Sequence, residues 1–446
     1  MPGTRNGTRI KISVQARKEK KGMLKRRQFV INTMTFLGLA PVGRLAWAMG
    51  EDKDGKDYGT ARLCQTVVDR IGDRTLQELR DFHQRELDED YLGYWKEHGI
   101  DREHGGLMPY RELMKGMPYL AKHYYLKQMY FQGRGLWTFS YLYNHFGHND
   151  RHLEIARRTK DFIYKYARND DGTWASELTP EGKVIQGQSD IDGDFYVALG
   201  LTEYYKATGD QEALETALKT VYAVNRKILA PDFMYYGAWD IEVCEPGTKF
   251  LGVWVHFLNT LTPLAIVTHD PRVEKIAGLC VRNIVEHHWR PELGQFVEML
   301  DVDFRPLPGN RHDSLWHSVQ AAWMCMSEAL RIGDRGLFMD AMVMGWKQLE
   351  RVFAEFQKID INAPIEELPR WGPLEDYMLF NLLAIEHTHA PWAISWFDKI
   401  FRFAYQRPDR FEQYDLLHQP RRLFFTIQIL DRMIARKGRV SDFLEV

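Results

Sequence analysis

The sequence has little that would cross-link the chain. Among its 446 residues are only four cysteines, Cys64, Cys244, Cys280 and Cys325, and their wide spacing contains no CxxC pair or other metal-ligand pattern. Cys280 and Cys325 stand in apolar, helix-like contexts, where a cysteine behaves as a small core residue. The sequence therefore predicts free core thiols rather than a disulfide or metal framework.

Strand signals are also sparse. The best are residues 183–185 and 295–298, and both lie in long connections between segments with helical periodicity. Apolar residues elsewhere recur mostly at steps of three and four, which is the spacing of one helix face. The pattern indicates an all-α protein.

Acidic residues are nearly absent from the first 48 positions, which contain eleven Lys or Arg and one Glu. Arg26-Arg27 begins a twin-arginine signature, followed by the short apolar run 29–39 and the small-x-small cleavage pattern at 46–48. This run is shorter than the about 20 residues that a membrane-spanning helix needs. We predict that residues 1–48 are a twin-arginine signal peptide for export to the periplasm. An interfacial anchor that stays attached is the alternative.

The chain after this segment is acidic. Removing eleven of 59 basic and one of 61 acidic residues leaves 48 and 60, a formal net charge of −12. This balance argues against nucleic acid or anionic lipid as a partner and is compatible with a neutral ligand. We expect no stable membrane insertion, and a homodimer is compatible with the sequence. Met1 and Met23 are both candidate start residues.

Short turn signatures recur along the chain at a nearly constant interval. Their final residues, Asp150, Asp210, Asp270 and Asp334, are 60, 60 and 64 residues apart. Asp210 and Asp270 resemble helix N-caps, and Pro271 suits a first helical turn. Each interval therefore fits two helices with their connections.

The 398 residues after Ala48 have room for about six such helix pairs. Six pairs can stack as an open solenoid or close into an (α/α)6 barrel. Polar and aromatic residues recur on the helices predicted to be inner, and the polar end caps of an open array are lacking. We predict that residues 49–446 form one (α/α)6 barrel.

A predicted helix near the start of this region has an unusual face. Lys127, Tyr130, Arg134, Trp137 and Tyr141 lie at steps of three and four, while apolar residues occupy the other faces. Two cations on a buried helix need a polar environment to receive them. The pattern is therefore typical of a helix that lines a polar, aromatic cavity. Two cations that extend to solvent along a surface are the alternative.

Several motifs in order resemble the N-acylglucosamine 2-epimerase superfamily, which includes cellobiose 2-epimerases and mannose isomerases. Together they span roughly residues 88 to 430. The motifs are Gly105-Gly106, Lys127-x5-Gly-Arg134 continuing into Trp137, Trp254-Val-His256, Trp371-x3-Glu375 and His418-Gln-Pro-Arg421. The resemblance implies an (α/α)6 barrel that acts on open-chain sugars at C2, or between C1 and C2, through an enediolate.

One motif departs from the family pattern. The family's Pro-Gly-His-x-x-Glu-x-x-Trp corresponds here to 308–316, with Asn310 at the histidine position, Asp313 at the glutamate and Trp316 retained. Asn310 can hydrogen-bond an oxyanion but has no titratable proton to exchange. His312 could substitute only if this stretch is loop, because two residues along a helix do not share a face.

The resemblance implies roles for the remaining residues. His418 would move the proton, Arg134 would stabilise the oxyanion, and His256 would assist ring opening. Asp313 and Glu375 would hold hydroxyl groups or tune the histidines. The further expected sugar contacts are Lys127, Trp137, Trp254, His312, Trp316, Trp371 and Arg421. No metal or organic cofactor is expected, since side chains can remove a proton next to a carbonyl.

Two other functions fit the same barrel. A glycoside hydrolase or lyase would use Asp192, Asp313 or Glu375, with two carboxylates about 5–10 Å apart. A non-catalytic saccharide-binding barrel would account for Asn310.

Overall fold

The structure is a computed structural model that describes residues 67–108, 126–235, 245–307, 315–356, 374–406 and 416–444. Cys280 and Cys325 are among these residues and are buried free thiols, which confirms the prediction for this pair. The predicted signal peptide, residues 1–48, lies outside the described residues.

Helices make up most of the described chain. In chain order they are α1 (Leu76–Arg85), α2 (Leu92–Glu97), α3 (Met129–His145), α4 (Asp150–Tyr166), α5 (Ile191–Thr208), α6 (Gln211–Ile228), α7 (Leu251–Thr268), α8 (Pro271–Arg282), α9 (Leu315–Ile332), α10 (Arg335–Phe356), α11 (Leu374–Thr388), α12 (Pro391–Gln406) and α13 (His418–Ala435). Two π-helical turns, Glu86–Tyr91 and Asn283–His288, extend α1 and α8, and a 3-10 turn covers Asp442–Leu444.

The strands are two or three residues long and pair antiparallel. They are β1 (Arg70–Ile71), β2 (Arg74–Thr75), β3 (Lys127–Gln128), β4 (Glu177–Leu178), β5 (Val184–Gln186), β6 (Lys249–Phe250), β7 (Trp289–Arg290), β8 (Gln295–Phe296) and β9 (Met299–Leu300). The sheets are β1-β2, β3-β4-β5, β6-β9 and β7-β8. The two strand signals of the sequence correspond to β5 and β8, both in long connections as predicted.

The helices form two concentric layers, the (α/α)6 barrel that the sequence predicts. The inner helices α3, α5, α7, α9, α11 and α13 contact one another in that order. Their burial separates them from the outer layer: the first fourteen residues of α5 are all buried, whereas α4 buries only Ala156, Thr159, Phe162 and Ile163. A helix that is buried all round is a core helix, and a one-sided helix is a surface helix.

Helix α7 is an inner helix with a strongly apolar composition. Within the described residues it alone is long and apolar enough to cross a membrane, with a mean hydropathy of 1.4. Its position between α5 and α9 accounts for this composition, because an inner barrel helix contacts apolar neighbours on most sides.

The predicted turns join each inner helix to the outer helix that follows. Asp210 caps α6 by accepting from the amide of Ala213, and Asp270 caps α8 by accepting from Arg272. Gly209 ends α5 in the left-handed region, with φ of 74°, where glycine carries no Cβ penalty. These tight turns confirm the helix starts predicted at Asp210 and Asp270.

The outer helices reverse the chain, so all six inner helices run parallel. Their N-terminal ends therefore meet at one end of the barrel. The long connections, including the β3-β4-β5 sheet and the β7-β8 hairpin, arrive at this same end, since each leads from an outer helix to the start of an inner one. We call this end the mouth.

A buried ionic cluster joins the first helix of the barrel to the last. Arg422 on α13 donates to both carboxylate oxygens of Glu86, at 2.5 and 3.2 Å, and Tyr405 on α12 donates to the same carboxylate. Burial opposes ionisation, but the Arg422 guanidinium outweighs it and holds the pKa of Glu86 well below its usual range. The backbone adds a further link, with Val68 N donating to Gly438 O at 2.7 Å.

Breaking this cluster should destabilise the barrel. Arg422→Met would leave the Glu86 carboxylate buried and uncompensated, which costs about 3–5 kcal/mol of unfolding free energy. Urea denaturation checks this. The control is Arg157→Met, since Arg157 pairs with Glu154 at a site about half exposed, where an ion pair contributes about 0–1 kcal/mol. Equal losses in the two variants would contradict a structural role for the cluster.

Candidate active site

Polar side chains gather in the first two turns of the inner helices. The set consists of Tyr130 and Arg134 on α3, Asp192 and Tyr196 on α5, His256 on α7, His317 on α9, Asp376 on α11, and His418 and Arg421 on α13. Tyr196 is near enough to Arg134, Asp192 and Arg421 for their charges to act on its pKa, which burial raises. These residues therefore surround one space at the mouth.

Arg134 is held by two tyrosines. Its guanidinium carbon lies 3.8 Å from the ring centre of Tyr130 and 4.3 Å from that of Tyr196. It donates to the hydroxyl groups of both, at 3.0 Å for Tyr196. The guanidinium is 3% exposed, so its position is fixed by packing as well as by hydrogen bonds. The structure thus places the predicted oxyanion ligand at the mouth.

His256 forms a pair with Asp192. Its Nδ1 lies 2.9 Å from Asp192 Oδ1, and Tyr235 donates to the other carboxylate oxygen. Burial raises the pKa of Asp192, but these two donors outweigh it and lower the pKa overall. Burial also lowers the pKa of His256, which Asp192 offsets only in part. A neutral imidazole with Nδ1–H directed at an ionised carboxylate is the result.

Asp376 is the carboxylate partner of His418. His418 Nδ1 lies 3.4 Å from Asp376 Oδ2, while Arg421 Nη2 donates to Oδ1 at 2.8 Å. Gln320 and Trp323 on α9 also donate to Asp376, at 2.7 and 2.8 Å. Burial opposes ionisation, but Arg421 and His418 hold the pKa of Asp376 well below its usual range. Arg421 therefore positions this pair.

His317 is a third histidine at the mouth, and our sequence analysis does not identify it. Its Nδ1 lies 2.7 Å from Glu298 Oε1, and its ring centre lies 5.1 Å from that of His256. The partner residues Asp192, Asp376 and Glu298 were not predicted as such either. A signal was present, because polar residues occur in the first two turns of every inner helix. Aligning these turns helix by helix would have revealed His317 and the three carboxylates.

The structure corrects the substrate-binding role expected for Lys127. The residue lies in β3, before α3 begins, and it is fully buried. Its ammonium donates to Asp101 Oδ2 at 2.7 Å, to Gly105 O at 2.6 Å and to Pro180 O at 2.8 Å. All three of its N–H bonds are thereby used within the protein. Lys127 anchors the connection at 101–108 to the β3-β4-β5 sheet.

Two predicted sugar-stacking tryptophans are buried. Trp137 packs on Tyr141 and Phe424, with ring centres 5.1 and 5.9 Å apart. Trp254 is 3% exposed and lies two residues from His256, so the two side chains leave α7 on different faces. Trp137 therefore has a packing role, whereas sugar contact by Trp254 stays a prediction.

The remaining predicted residues have varied positions. Glu375 is 1% exposed and lies near enough to Arg422 for its charge to raise the pKa of that guanidinium. Four others fall outside the described residues: Asn310, His312, Asp313 and Trp371. The side chain of Trp316, at the start of α9, also lies outside the described part of the chain.

The arrangement suits proton transfer beside a developing negative charge. Three imidazoles each have a buried carboxylate at Nδ1, which fixes the ring orientation as in other histidine–carboxylate pairs. Arg134 and the positive ends of the parallel inner helices favour an anion at the mouth. Both Asp192 and Asp376 accept several hydrogen bonds and have lowered pKa values, so neither suits the role of a proton-donating acid.

Comparisons with known proteins show the family of the chain and agree with its fold. Residues 114–343 match the family model described as N-acylglucosamine 2-epimerase. The chain is 26% identical over 382 residues to N-acylglucosamine 2-epimerase of Mus musculus, covering 79% of this chain and 88% of that protein. It is 26% identical over 285 residues to cellobiose 2-epimerase of Dictyoglomus turgidum, covering 60% and 70%. The structure of cellobiose 2-epimerase from Spirochaeta thermophila superposes with a TM-score of 0.65 at 16% identity, covering 80% of this chain and 98% of that one.

The pairing of His256 with Asp192 can be tested by titration. In Asp192→Asn the carboxylate that favours the imidazolium is lost, so the pKa of His256 should fall further below its usual value. The imidazole Cε1–H signal, followed by NMR against pH and assigned with His256→Asn, measures this. Asp210→Asn, which alters a helix cap on the outer layer, should leave the His256 titration unchanged. An unaltered pKa in Asp192→Asn would contradict the pairing.

Proposed function

Since the chain belongs to the N-acylglucosamine 2-epimerase family and is therefore a sugar epimerase or isomerase, we propose that it acts at C2, or between C1 and C2, of an open-chain aldose or short oligosaccharide. The reaction proceeds by histidine-mediated proton transfer through an enediolate. The observation that carries this proposal is the ring of histidine–carboxylate pairs around Arg134 at the barrel mouth.

His418 is the proposed proton-transfer residue. Its Nδ1 lies 3.4 Å from both Asp376 Oδ2 and Arg421 Nη2. In the tautomer whose Nδ1–H is directed at the Asp376 carboxylate, Nε2 is the atom that can take a proton from carbon. The residue stands at the first position of α13, which places its ring at the barrel mouth. Removal of the C2 proton breaks the C2–H bond, and its electron pair forms the C1–C2 double bond of the enediolate.

Arg134 is the proposed partner of the enediolate oxygen. The negative charge develops on O1 of the sugar as the carbonyl is lost, and a fixed guanidinium stabilises such a charge more in the transition state than in the ground state. The two tyrosines that hold Arg134 keep it in place without neutralising its charge. His256 lies close by and is proposed to assist ring opening, since its neutral imidazole can exchange a proton with the anomeric oxygen.

The named activities of the relatives suggest which sugars to test. Those relatives are epimerases of N-acylglucosamine and of cellobiose. Their substrates share an aldose unit that can open to expose a C1 carbonyl next to C2. Aldoses, N-acylhexosamines and short β-linked disaccharides therefore form the substrate panel.

The rival functions receive less support from the described residues. A glycoside hydrolase needs one carboxylic acid with a raised pKa. Asp192 and Asp376 have lowered pKa values instead. Burial raises the pKa of Asp194 to about 7, but its carboxylate is buried and accepts from the Ser189 hydroxyl and the Trp174 amide. A purely binding barrel has no need for histidines with oriented Nδ1 atoms. Hydrolysis would release new reducing ends, and binding alone would raise the melting temperature without isotope exchange.

Isotope exchange tests the proposed function directly. The protein lacking residues 1–48, incubated with the sugar panel in heavy water, should incorporate deuterium at C2 or C1, followed by NMR or mass spectrometry. For the sugar whose C2 proton faces His418, His418→Asn should lower the exchange rate by about 10²–10⁴-fold, the usual contribution of an acid–base group. His269→Asn is the matched control, because His269 is exposed at the far end of α7 and has φ of 49°, which Asn tolerates. Absence of exchange with every sugar would overturn the proposal.

We further propose export by the twin-arginine route, on the strength of residues 26–48. Arg26→Lys together with Arg27→Lys should remove the protein from the periplasmic fraction of a Gram-negative host and retain it, folded, in the cytoplasm. Cell fractionation with immunoblotting measures this. Arg5→Lys together with Arg9→Lys is the control, since these positions precede Met23 and should not affect export. Unchanged periplasmic recovery of the first pair would contradict the proposal.

A further inference from the structure

His317 stands in the first turn of α9 with a carboxylate of its own. Its Nδ1 donates to Glu298 Oε1 at 2.7 Å, and Glu298, between β8 and β9, is 2% exposed. The same oxygen accepts from the backbone amide of Gly252 at 3.3 Å. The His317 side chain keeps 18% exposure, so its ring is held at one edge while part of it remains accessible.

Space for this ring depends on the absence of a side chain at Gly252. A Cβ added there would come within 2.7 Å of Cε1 and 3.0 Å of Nε2 of His317. Gly252 lies in the first turn of α7, where glycine offers no advantage for helix formation. The close approach of the His317 imidazole, together with the Phe250 ring at 2.9 Å from such a Cβ, leaves no room for a side chain.

His317 and His418 flank the same carboxylate from neighbouring sides. Gln320, one turn after His317 on α9, donates to Asp376, and Arg421, one turn after His418 on α13, donates to it as well. Residues three apart share a helix face. The faces that carry the two histidines therefore converge on the space at the mouth side of Asp376, one from α9 and the other from α13.

The charges around His317 differ from those around His256. Groups that act on His317 are Glu298 from the β8–β9 connection, His256 from α7, Asp192 from α5 and Asp376 from α11. Burial alone would lower the pKa of His317, but Glu298 outweighs it and raises the pKa. The pKa of His256, only 5.1 Å away between ring centres, is lowered instead. The raised pKa of His317 favours its protonated form, which suits the role of an acid.

We infer that His317, positioned by Glu298, is the second proton-transfer residue and acts on the face of C2 opposite to His418. The inference rests on the proposed function. Inversion at C2 requires a proton to leave one face and another to arrive at the other, and Asn310 has no titratable proton for this step.

The proposed step balances as follows. His418 takes the C2 proton, and the electron pair of the C2–H bond forms the enediolate. The imidazolium of His317 then delivers its proton to the opposite face of C2, where the new C–H bond uses the pair of the C1–C2 double bond and the C1 carbonyl re-forms. His418 is left protonated and His317 neutral. His418 then releases a proton to solvent and His317 takes one up, which restores the starting state.

A pair of epimeric sugars tests the inference. In heavy water, His317→Asn should lower the rate of C2 epimerisation by about 10²–10⁴-fold. It should retain solvent exchange from the one epimer whose C2 proton faces His418 and lose exchange from the other. His418→Asn should show the reverse preference. His269→Asn should match the wild type in both assays.

A second variant examines the positioning role of Glu298. Glu298→Gln removes the charge that favours the His317 imidazolium, so the pKa of His317 should fall. The high-pH limb of kcat, where His317 loses its proton, should shift to lower pH with little change in KM. A merely structural role for Glu298 would change stability or KM and leave this limb in place.

The outcomes separate this inference from the proposed function. Exchange and epimerisation by His317→Asn at the wild-type rate would overturn the inference and leave the proposed function standing. Loss of exchange from both epimers in a folded His317→Asn protein would also overturn the division of faces. If the wild-type protein converts its substrate only to a ketose, at a rate that His317→Asn does not change, the protein is a one-base isomerase and the inference is overturned. Absence of exchange in the wild type would overturn both.

Discussion

The site depends on the parallel direction of the six inner helices. Each outer helix returns the chain, so every inner helix begins at the same end of the barrel. The positive dipole ends of these helices are thereby concentrated at the mouth. This geometry produces a region that favours anions, independently of any single residue. Arg134 adds a full positive charge to this region, and Tyr130 and Tyr196 hold its guanidinium in place.

Buried carboxylates convert this environment into a set of oriented imidazoles. Asp192, Glu298 and Asp376 each face the Nδ1 atom of one histidine. Burying a carboxylate is costly unless hydrogen bonds and charges compensate it. Asp376 illustrates the compensation, since donors from α9 and α13 saturate it and at the same time tie three neighbouring inner helices together. The residues that shape the site thus also stabilise the barrel, and chemistry and packing cannot be separated at this end.

Local sequence signals predicted much of the architecture. The 60-residue interval between Asp150, Asp210 and Asp270 arises because each helix pair needs the same length of chain, and capping residues act on their nearest amides. The same reasoning failed for Lys127 and left Trp254 undecided. Lys127 precedes α3, so its assignment to the face of Arg134 depended on an error of two residues in the helix start. Trp254 lies on a helix buried all round, where amphipathicity does not reveal which side faces the cavity.

By itself, the sequence determined the all-α class, the number of helix pairs and the candidates Arg134, His256 and His418, because periodicity, caps and ordered motifs are local properties of the chain. Only the tertiary structure decided which carboxylate accompanies each histidine. Asp192 and His256 are 64 residues apart, and Glu298 and His317 are 19 apart on different elements. Such pairings follow from how helices are arranged around the barrel, and so does the presence of His317 at the mouth. The protonation of each imidazole is set by these partners and by burial, which no local pattern encodes.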